Sequence, residues 1–409
     1  MSEQARLDRA VRKVVAEGNC SGCGACTLLD PGLSMRLQDD GFRRPVREGA
    51  GPTPAGADAR FARVCPGRRT EARTPEGSTR HPLLGPVVSC WRAWAADDEL
   101  RHRGSSGGTL TALSTWLVET GRVSAVRTAR TDREEPRRTV PVTLTTREEA
   151  LASAGSRYGP VAVLGPGALA PDGAVVGKPC EATAARQLLD LEGAGPEQEP
   201  LLLSFFCAGT PSQQATDTLV ADLGLPEGTG LDDLWYRGRG WPGSFTAVAA
   251  DGRRVSTSYE ESWGAHLGRA TQWRCKICPD GVGESSDISA ADFWDTDERG
   301  YPVFVENDGC SALIARTRRG HDLLVEAFAA GVLVGQPLEP DAVAGVQPLQ
   351  TSRRRTLAGR LLGARAAGRT VPRYVGFGLT RFAARDWRET LRTGRASFRR
   401  VRTARKAGR

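Results

Sequence analysis

Residues 20–26 read Cys20-Ser21-Gly22-Cys23-Gly24-Ala25-Cys26, and a fourth cysteine follows at Cys65, directly before Pro66. Three thiolates at two-residue intervals fit three corners of a cubane iron–sulfur cluster, and a later Cys-Pro is typical of the fourth ligand. Zinc is the alternative, but zinc sites usually take two cysteines from each of two knuckles. The spacing favours a [4Fe-4S] cluster held by Cys20, Cys23, Cys26 and Cys65.

The composition is that of an ordinary globular protein. The 409 residues are 39% hydrophobic and 25% charged, and the chain is long enough for two or three domains. The first 19 residues are polar and lack the apolar region of a secretory signal, and the run Leu201–Phe206 is too short to span a bilayer. We therefore expect a cytoplasmic protein whose ten cysteines serve as metal ligands rather than in disulfides.

The positive charge is concentrated at the C-terminal end. Residues 352–409 carry 18 Lys or Arg against Asp386 and Glu389, whereas the remainder of the chain has a net charge of −8. Apolar residues recur at helical spacing among these arginines: Trp387, Leu391, Phe398 and Val401. This pattern predicts a basic amphipathic helical tail, suited to an acidic membrane surface at the periphery or to an acidic protein partner. A solvated, partly disordered extension is the alternative, and no specific nucleic acid is expected.

A Gly/Ser loop, Ser105-Ser106-Gly107-Gly108, precedes a predicted helix at 110–119. Such a loop presents free N–H groups and the positive end of the helix dipole, which suits a phosphate. It is not a Walker loop, because no Gly-Lys-Ser/Thr follows, and it lacks the dinucleotide fingerprint. A tight turn before a core helix is the simpler interpretation of the loop taken alone.

Strands at 161–164, 174–177 and 201–206 alternate with helices, which predicts an α/β domain with a largely parallel sheet. Cys180 and Cys207 follow two of these strands, where open α/β sheets place ligands. With Cys275 and Cys278 they make a second possible ligand set, for which buried structural thiols are the alternative. Asp287, near a turn, suits acid–base work or a capping role.

The motifs taken together resemble the coenzyme F420 hydrogenase and formate dehydrogenase beta-subunit family, which includes the 7-hydroxymethyl chlorophyll a reductases. The resemblance covers about residues 17–345. It is carried by Cys20–Cys26, Asp40-Gly41-Phe42, Cys65-Pro66-Gly67, Ser105–Gly108, Gly155-Ser156-Arg157-Tyr158, Lys178-Pro179-Cys180, Phe206-Cys207 and Cys275–Asp292.

The resemblance implies a flavin, usually FAD, beside a [4Fe-4S] cluster, with reduced coenzyme F420 as a possible co-substrate. It implies Cys180, Cys207, Cys275 and Cys278 as ligands of a flavin-proximal cluster. It also implies Ser105, Ser106, Gly107 and Gly108 at the flavin phosphates, with Ser156 and Tyr158 as further cofactor contacts. Arg157 and Lys178 are implied flavin or substrate contacts and, with Asp287, form the expected catalytic set.

The sequence departs from the family pattern in three places. Asp30-Pro31 stands where many members have Cys-Pro, so at most one ferredoxin-type cluster fits the N-terminal segment. A proline separates Cys278 from Asp280-Gly281, and the arginine-rich tail has no counterpart in the family.

The expected architecture is an α/β fold with α+β elements and a mixed, largely parallel sheet. It comprises a ferredoxin-like iron–sulfur segment (1–80), the two parts of a flavin-binding core (81–170 and 171–345) and a basic helical tail (346–409). The expected function is electron transfer between a hydride carrier and iron–sulfur clusters, a redox protein or a small organic substrate, in a monomer or an oligomer. The alternative function is a zinc-stabilised binding protein without redox chemistry.

Overall fold

The computed structural model describes residues 1–49, 51–195, 198–298, 303 and 308–407. The last two residues of the predicted tail lie outside this part. No helix within it is long and apolar enough to cross a membrane.

The helices of the described part are α1 Glu3–Ala16, α2 Cys26–Leu29, α3 Ala57–Val64, α4 Asp98–Arg103, α5 Thr109–Glu119, α6 Arg147–Ala152, α7 Pro179–Glu192, α8 Gln213–Asp222, α9 Tyr259–Glu261, α10 Trp273–Lys276, α11 Arg318–Ala329, α12 Pro340–Gly345, α13 Pro348–Ala366, α14 Leu379–Arg385 and α15 Trp387–Ala407. The strands are β1 Leu33–Leu37, β2 Arg43–Arg47, β3 Arg69–Glu71, β4 Thr79–His81, β5 Gly85–Val87, β6 Ser89–Ala95, β7 Val126–Thr131, β8 Thr139–Leu144, β9 Ala174–Gly177, β10 Leu201–Phe205, β11 Leu231–Trp235, β12 Ser244–Ala249, β13 Arg254–Ser258, β14 Ile288–Asp292, β15 Ser311–Ala315, β16 Leu333–Pro337 and β17 Arg373–Val375.

The N-terminal region brings a helix and a hairpin to the first cysteine loop. Helix α1 buries Leu7, Val11 and Val14, which share one helical face, and Ser2 caps it by accepting a hydrogen bond from the backbone of Ala5. Strands β1 and β2 pair antiparallel across the turn that contains Gly41, whose φ is 75°. The hairpin predicted from Asp40-Gly41 is confirmed, because only a residue tolerant of positive φ closes this turn easily.

An eight-stranded mixed sheet forms the centre of the molecule, in the order β16-β6-β15-β14-β10-β9-β7-β8. The central strands β14, β10, β9 and β7 pair parallel, whereas the outer strands pair antiparallel. The predicted mixed α/β fold is confirmed, with the parallel pairing confined to the central strands. Their carboxyl ends therefore meet at one edge of the sheet.

One predicted strand is wrong. Residues 161–164 have no partner strand among the described residues, although they are buried. The backbone N–H of Leu164 bonds to the carbonyl of Cys23 at 3.3 Å, and that of Val163 bonds to the Glu181 carboxylate at 3.0 Å. These distant partners satisfy the apolar run outside the sheet.

The predicted segments 81–170 and 171–345 share one hydrophobic core. Apolar side chains from β6, α5, β7, β10, β14, β15 and α11 pack together in it. A second core joins α1 and α3 to α7 and the first cysteine loop. The N-terminal segment is thus packed on the central sheet.

The C-terminal region is helical, as predicted, but it is not a solvated extension. Helix α13 buries Arg353, Arg354 and Leu357 against the rest of the chain, and α15 packs along α13. Gly363 allows this close approach, since a Cβ there would lie 2.1 Å from the carbonyl oxygen of Gly394. The buried arginines of α13 bond to groups in other parts of the chain. The charge pattern of the sequence does not reveal those partners.

Glu284 provides the charged partner for α13. Its carboxylate is 1% exposed and pairs with Arg354, and it also accepts a 2.7 Å hydrogen bond from Arg80. Burial raises the pKa of Glu284, but the positive charges of Arg354 and Arg80 outweigh burial and hold it below its ordinary value of 4.5. The carboxylate therefore stays ionised in the folded protein near neutral pH.

We expect Arg354→Met to lower the free energy of unfolding by about 3–5 kcal/mol, because it leaves the Glu284 carboxylate buried with a partner removed. A group with a lowered folded pKa contributes its stability fully above its unfolded pKa and loses it as the pH falls through the folded pKa. The contribution of the Glu284 carboxylate is therefore lost at low pH, and the difference between variant and wild type should be larger at about pH 8 than at about pH 4. Chemical denaturation followed by circular dichroism measures it.

Arg355→Met is the matched control, because Arg355 occupies the next position of α13 and is exposed. We expect its effect on the free energy of unfolding to stay within about 0.5 kcal/mol. Equal effects of the two substitutions would contradict the assignment of the buried pair.

Candidate functional site

The first four predicted metal-ligand cysteines lie together; we call Cys20, Cys23, Cys26 and Cys65 the N-terminal cysteine group. They pack in one cluster with α1, α3 and α7. Gly24 has a φ of 91°, and a Cβ on it would lie 2.0 Å from the carbonyl oxygen of Leu164. Glycine is therefore required for the loop to wind this tightly.

The thiols of this group are buried against one another. Burial raises the pKa of Cys23 to about 11, with a further contribution from the neighbouring Cys20. Burial also raises the pKa of Cys26 and of Cys65, and in both cases nearby cysteines add to the effect. Such a set holds thiolates only when a cation or metal centre compensates their charge, and it matches the donors that iron–sulfur clusters and zinc use.

The other four predicted ligand cysteines come from three parts of the chain; we call Cys180, Cys207, Cys275 and Cys278 the cavity cysteine group. Cys180 starts α7 after β9, and Cys207 follows the parallel neighbour β10. Burial raises the pKa of Cys207 to about 12, and the adjacent Cys275 adds to it. The parallel pairing brings the first two together, Cys275 lies in α10, and Cys278 follows that helix by two residues.

The two groups are neighbours. Burial raises the pKa of Cys180, and both Cys23 and Cys207 lie close enough to raise it further. All ten cysteines are free thiols. Within the described ranges, no three Cys, His, Asp or Glu side chains have the spacing that holds one metal ion.

A cavity of about 850 Å³ opens at the carboxyl edge of the parallel strands. Lys178, Cys207 and Asp292 line it, as do the Gly/Ser loop and the first turn of α5. Its volume lies in the range of cofactor sites. Cys207 of the cavity cysteine group thus lines a space large enough for an organic cofactor.

The Gly/Ser loop and the start of α5 line this cavity. Ser105, Ser106 and Gly108 line it, as do the first residues of α5, whose N-terminus has no side-chain cap. Gly107 faces the sheet instead, since a Cβ there would lie 2.6 Å from the carbonyl oxygen of Ala93. The uncapped N–H groups are free to bind an anion.

Ser156 and Tyr158 lie on the cavity wall beside the loop. The Ser156 hydroxyl donates to Ser105 Oγ at 2.8 Å, which joins the two predicted cofactor-binding motifs. Tyr158 packs against Tyr236 and Trp263, with ring centroids 5.7 and 5.0 Å away. The structure therefore brings both residues to the same cavity as the loop.

Lys178 and Arg157 both line the cavity but differ in what they can offer a ligand. Lys178 Nζ donates to Glu181 at 2.6 Å, and although burial lowers its pKa, the Glu181 charge raises it above the ordinary value. Arg157 donates to the carbonyls of Leu234, Pro136 and Arg138 at 2.6–3.1 Å. Lys178 therefore offers a fixed positive charge to a ligand, whereas the hydrogen-bond donors of Arg157 are already bonded to backbone carbonyls.

Asp287 is absent from the lining of the cavity as the described residues define it. Its carboxylate accepts hydrogen bonds from Arg319 at 2.7 Å, from the backbone of Leu202 at 2.8 Å and from Thr317 at 2.9 Å. Burial raises its pKa, but the charges of Arg186 and Arg319 lower it more. These contacts join β14, β10 and α11, which is a structural arrangement.

The sequence analysis missed Arg237, which lines the cavity and is 2% exposed. Its guanidinium lies 4.7–4.9 Å from the ring centroids of Trp241, Tyr259 and Trp294. It donates to Asp292 at 2.6 Å, and its Nη2 has no hydrogen-bond partner among the described residues. The run Trp235-Tyr-Arg-Gly-Arg-Gly-Trp241, in which aromatic residues flank an arginine, was the only sequence signal for it.

The sequence analysis also missed residues 346–350 and Ser352, which line the cavity next to the cavity cysteine group. Gln350 Nε2 and Arg353 Nη2 donate to the carbonyl of Cys207 at 3.2 and 2.7 Å. No local motif marks these residues, because their partners lie about 140 positions earlier in the chain.

Comparison with known proteins gives the family. Residues 90–166 match the N-terminal family model of the coenzyme F420 hydrogenase/dehydrogenase beta subunit, and residues 172–341 match the C-terminal one. The coenzyme F420 hydrogenase subunit beta of Methanosarcina barkeri is 26% identical over 269 residues, which span 63% of this chain and 84% of that protein. A chain in a structure of the F420-reducing [NiFe] hydrogenase complex from Methanosarcina barkeri is 22% identical, with a TM-score of 0.47; the match covers 68% of this chain and 95% of that one. The two matched regions account for most of the chain, which therefore belongs to the coenzyme F420 hydrogenase/dehydrogenase beta-subunit family.

Proposed function

We propose that this protein is a flavin- and [4Fe-4S]-dependent oxidoreductase. It passes electrons between a hydride carrier of the F420 class and iron–sulfur clusters, and onward to a redox protein or a small organic substrate. One observation carries the proposal: a single cavity is lined both by a Gly/Ser loop that precedes an uncapped helix and by Cys207, which belongs to a group of four free cysteines.

The loop side of the cavity suits the phosphates of FAD. Ser105 and Gly108, together with the backbone N–H groups of the first turn of α5, supply neutral donors and the positive end of a helix dipole. Ser156 holds Ser105 in place through its hydroxyl, and Tyr158 offers an aromatic wall. The part of the cavity near Cys207 is then left for the reactive ring of the flavin.

A bound flavin accepts a hydride and releases single electrons, which a cubane cluster accepts one at a time. Lys178 and Arg237 place two positive charges on the cavity wall, each held by a carboxylate partner. These cations stabilise negative charge on a reduced ring or on an acidic substrate. The Arg237 Nη2 group is buried and has no hydrogen-bond partner among the described residues, so it keeps a donor for an acidic group of a bound ligand.

The two cysteine groups provide the ligands for two clusters in series. The cavity cysteine group would hold a cluster able to accept electrons from the flavin, and the N-terminal cysteine group would hold one able to pass them to the partner. In Methanosarcina barkeri the relatives are named as subunits of a hydrogenase, so a protein partner or an oligomer is proposed here too. The exposed Trp387 and Leu391 lie among arginines on α15, which suits an acidic protein or membrane surface.

Anaerobic purification of the full chain tests the proposed function. We expect a brown protein with about eight iron atoms per chain and bound flavin whose absorbance bleaches when reduced F420 is added. F420 oxidation is followed by the loss of reduced carrier, with FAD-stripped protein as the control. A colourless protein that carries zinc, without flavin, would refute the proposal.

A further inference from the structure

Arg274 is a buried cation at the boundary between the two cysteine groups. Its side chain is 2% exposed, and it directly precedes Cys275 of the cavity cysteine group. Its Nη2 donates to the carbonyl of Pro66 at 3.1 Å, directly after Cys65 of the N-terminal cysteine group. The guanidinium thus reaches from one group to the other.

Two hydrogen-bond donors of the Arg274 guanidinium have no partner in the described part of the chain. Its Nε and Nη1 are buried and have no hydrogen-bond partner among the described residues. Leaving buried donors of a charged group unpaired is unfavourable by more than the usual cost for a neutral group. A negatively charged group held by the neighbouring cysteines would satisfy these donors.

The turn that carries Arg274 is fixed on both sides. Gln272 Nε2 donates to the carbonyl of Ser21 at 3.1 Å, and its Oε1 accepts from Arg44 Nη1 at 3.0 Å. The same Arg44 nitrogen donates to the carbonyl of Cys20 at 2.9 Å. Helix α10 is therefore bonded to the N-terminal cysteine loop while it supplies Cys275 to the other group.

The C-terminal region completes the enclosure of Arg274. The Tyr374 ring lies 5.6 Å from the guanidinium, and its hydroxyl donates to the carbonyl of Ile277 at 2.8 Å. Strand β17, which contains Tyr374, pairs parallel with β3, shortly after Cys65. Tyr374 thus packs over Arg274. In the sequence, Tyr374 lies beyond the residues that match the family models.

The electrostatic surroundings agree with this placement. Burial raises the pKa of Cys65, and the charge of Arg274 acts against that rise. Burial opposes the charge on Arg274, but Tyr374 and the cysteines of the cavity group favour it, so its pKa stays above the ordinary value. One positive charge therefore acts on thiolates of both groups.

We propose that Arg274 is a positioning residue shared by both iron–sulfur clusters, whose fixed charge and two free donors stabilise the reduced form of each. This inference rests on the proposed function. The step that Arg274 serves moves one electron from the cluster at the cavity to the N-terminal cluster, so the first is oxidised and the second reduced, and no bond is made or broken. A cation common to both favours reduction of both, so its loss lowers both potentials.

Arg274→Gln in the full chain, purified anaerobically, tests the inference. We expect normal iron content and a reduction equilibrium at least ten-fold less favourable for both clusters, which is about 59 mV for one electron. Titration with dithionite followed by electron paramagnetic resonance measures each cluster. Arg269→Gln is the control, because Arg269 is exposed and its loss removes the same charge five positions away.

Unchanged potentials in Arg274→Gln, or a shift in one cluster alone, would overturn the shared role. If the glutamine variant loses iron, Arg274→Lys decides, because lysine keeps the charge. Retained iron with both potentials within ten-fold of the wild type supports the inference, and loss of iron in the lysine variant as well refutes it. Absence of iron from the wild type would instead refute the proposed function itself.

Discussion

Replacing Cys275 by serine is expected to reduce the iron content from about eight atoms per chain to about four. A serine hydroxyl is a poor ligand for iron in a cluster, which is selective for soft thiolates. Cys275 Sγ also accepts the backbone N–H of Thr210 at 3.4 Å, and this contact orients the sulfur toward its group. Iron and acid-labile sulfide per chain measure the effect.

Cys90→Ser is the matched control for this variant. Cys90 is equally free and is buried at 6% exposure on β6, but its apolar neighbours belong to neither cysteine group. We expect it to keep all of the iron. Full iron in Cys275→Ser would show that this cysteine is not a ligand, and loss of all the iron would contradict two separately assembled clusters.

The flavin content of Cys275→Ser should stay near that of the wild type. The loop that we assign to the flavin phosphates is held by contacts with residues 310 and 311, at the start of β15. Ser106 Oγ donates to the carbonyl of Cys310 at 2.7 Å, and Gly107 N donates to Ser311 Oγ at 3.1 Å. Neither contact involves the cavity cysteine group.

Much of the central architecture could be predicted because its signals are local. The turn glycine at Gly41 sets the first hairpin, and Pro179 and Gly193 bound α7. The alternation of strands and helices predicts that β9 and β10 are parallel neighbours, which places Cys180 and Cys207 at one edge. Here each local preference agrees with the final fold.

The remaining features depend on contacts between distant parts of the chain. Arg354 belongs to a segment in which Lys and Arg greatly outnumber Asp and Glu. It is nevertheless buried, because it pairs with Glu284, which lies 70 positions earlier in the chain. Arg237 is held by rings from three separate stretches, so no window of sequence contains its environment. The number of charged residues in a segment indicates that the segment is exposed only when no buried partner for those charges exists elsewhere in the chain.

The same limit explains the site residues. Lys178 and Asp287 are equally polar in sequence, but one lines the cavity and the other joins β14, β10 and α11. The difference arises from the arginines that surround Asp287, which are contributed by α7 and α11. A motif therefore locates a site to within a few residues, and packing decides which of them reach it.

Ser105→Asp is expected to weaken flavin binding about a thousand-fold. A carboxylate about 4 Å from a phosphate charge, at an effective dielectric constant of about 20, is repelled by about 4 kcal/mol, and each 1.4 kcal/mol is about ten-fold in affinity. The substitution suits the fold, because Ser156 can donate to an aspartate oxygen as it does to Ser105 Oγ. Equilibrium titration of stripped protein with FAD, followed by flavin fluorescence, measures the affinity.

Ser105→Asn isolates the charge, since asparagine has nearly the same shape as aspartate and no charge. We expect the asparagine variant to bind FAD within about ten-fold of the wild type, because only shape is changed. The iron content of both variants should stay at the wild-type value, because Ser105 belongs to neither cysteine group. Equal weakening by aspartate and asparagine would mean that Ser105 faces an uncharged part of the ligand, and the uncapped start of α5 would then not be the phosphate site.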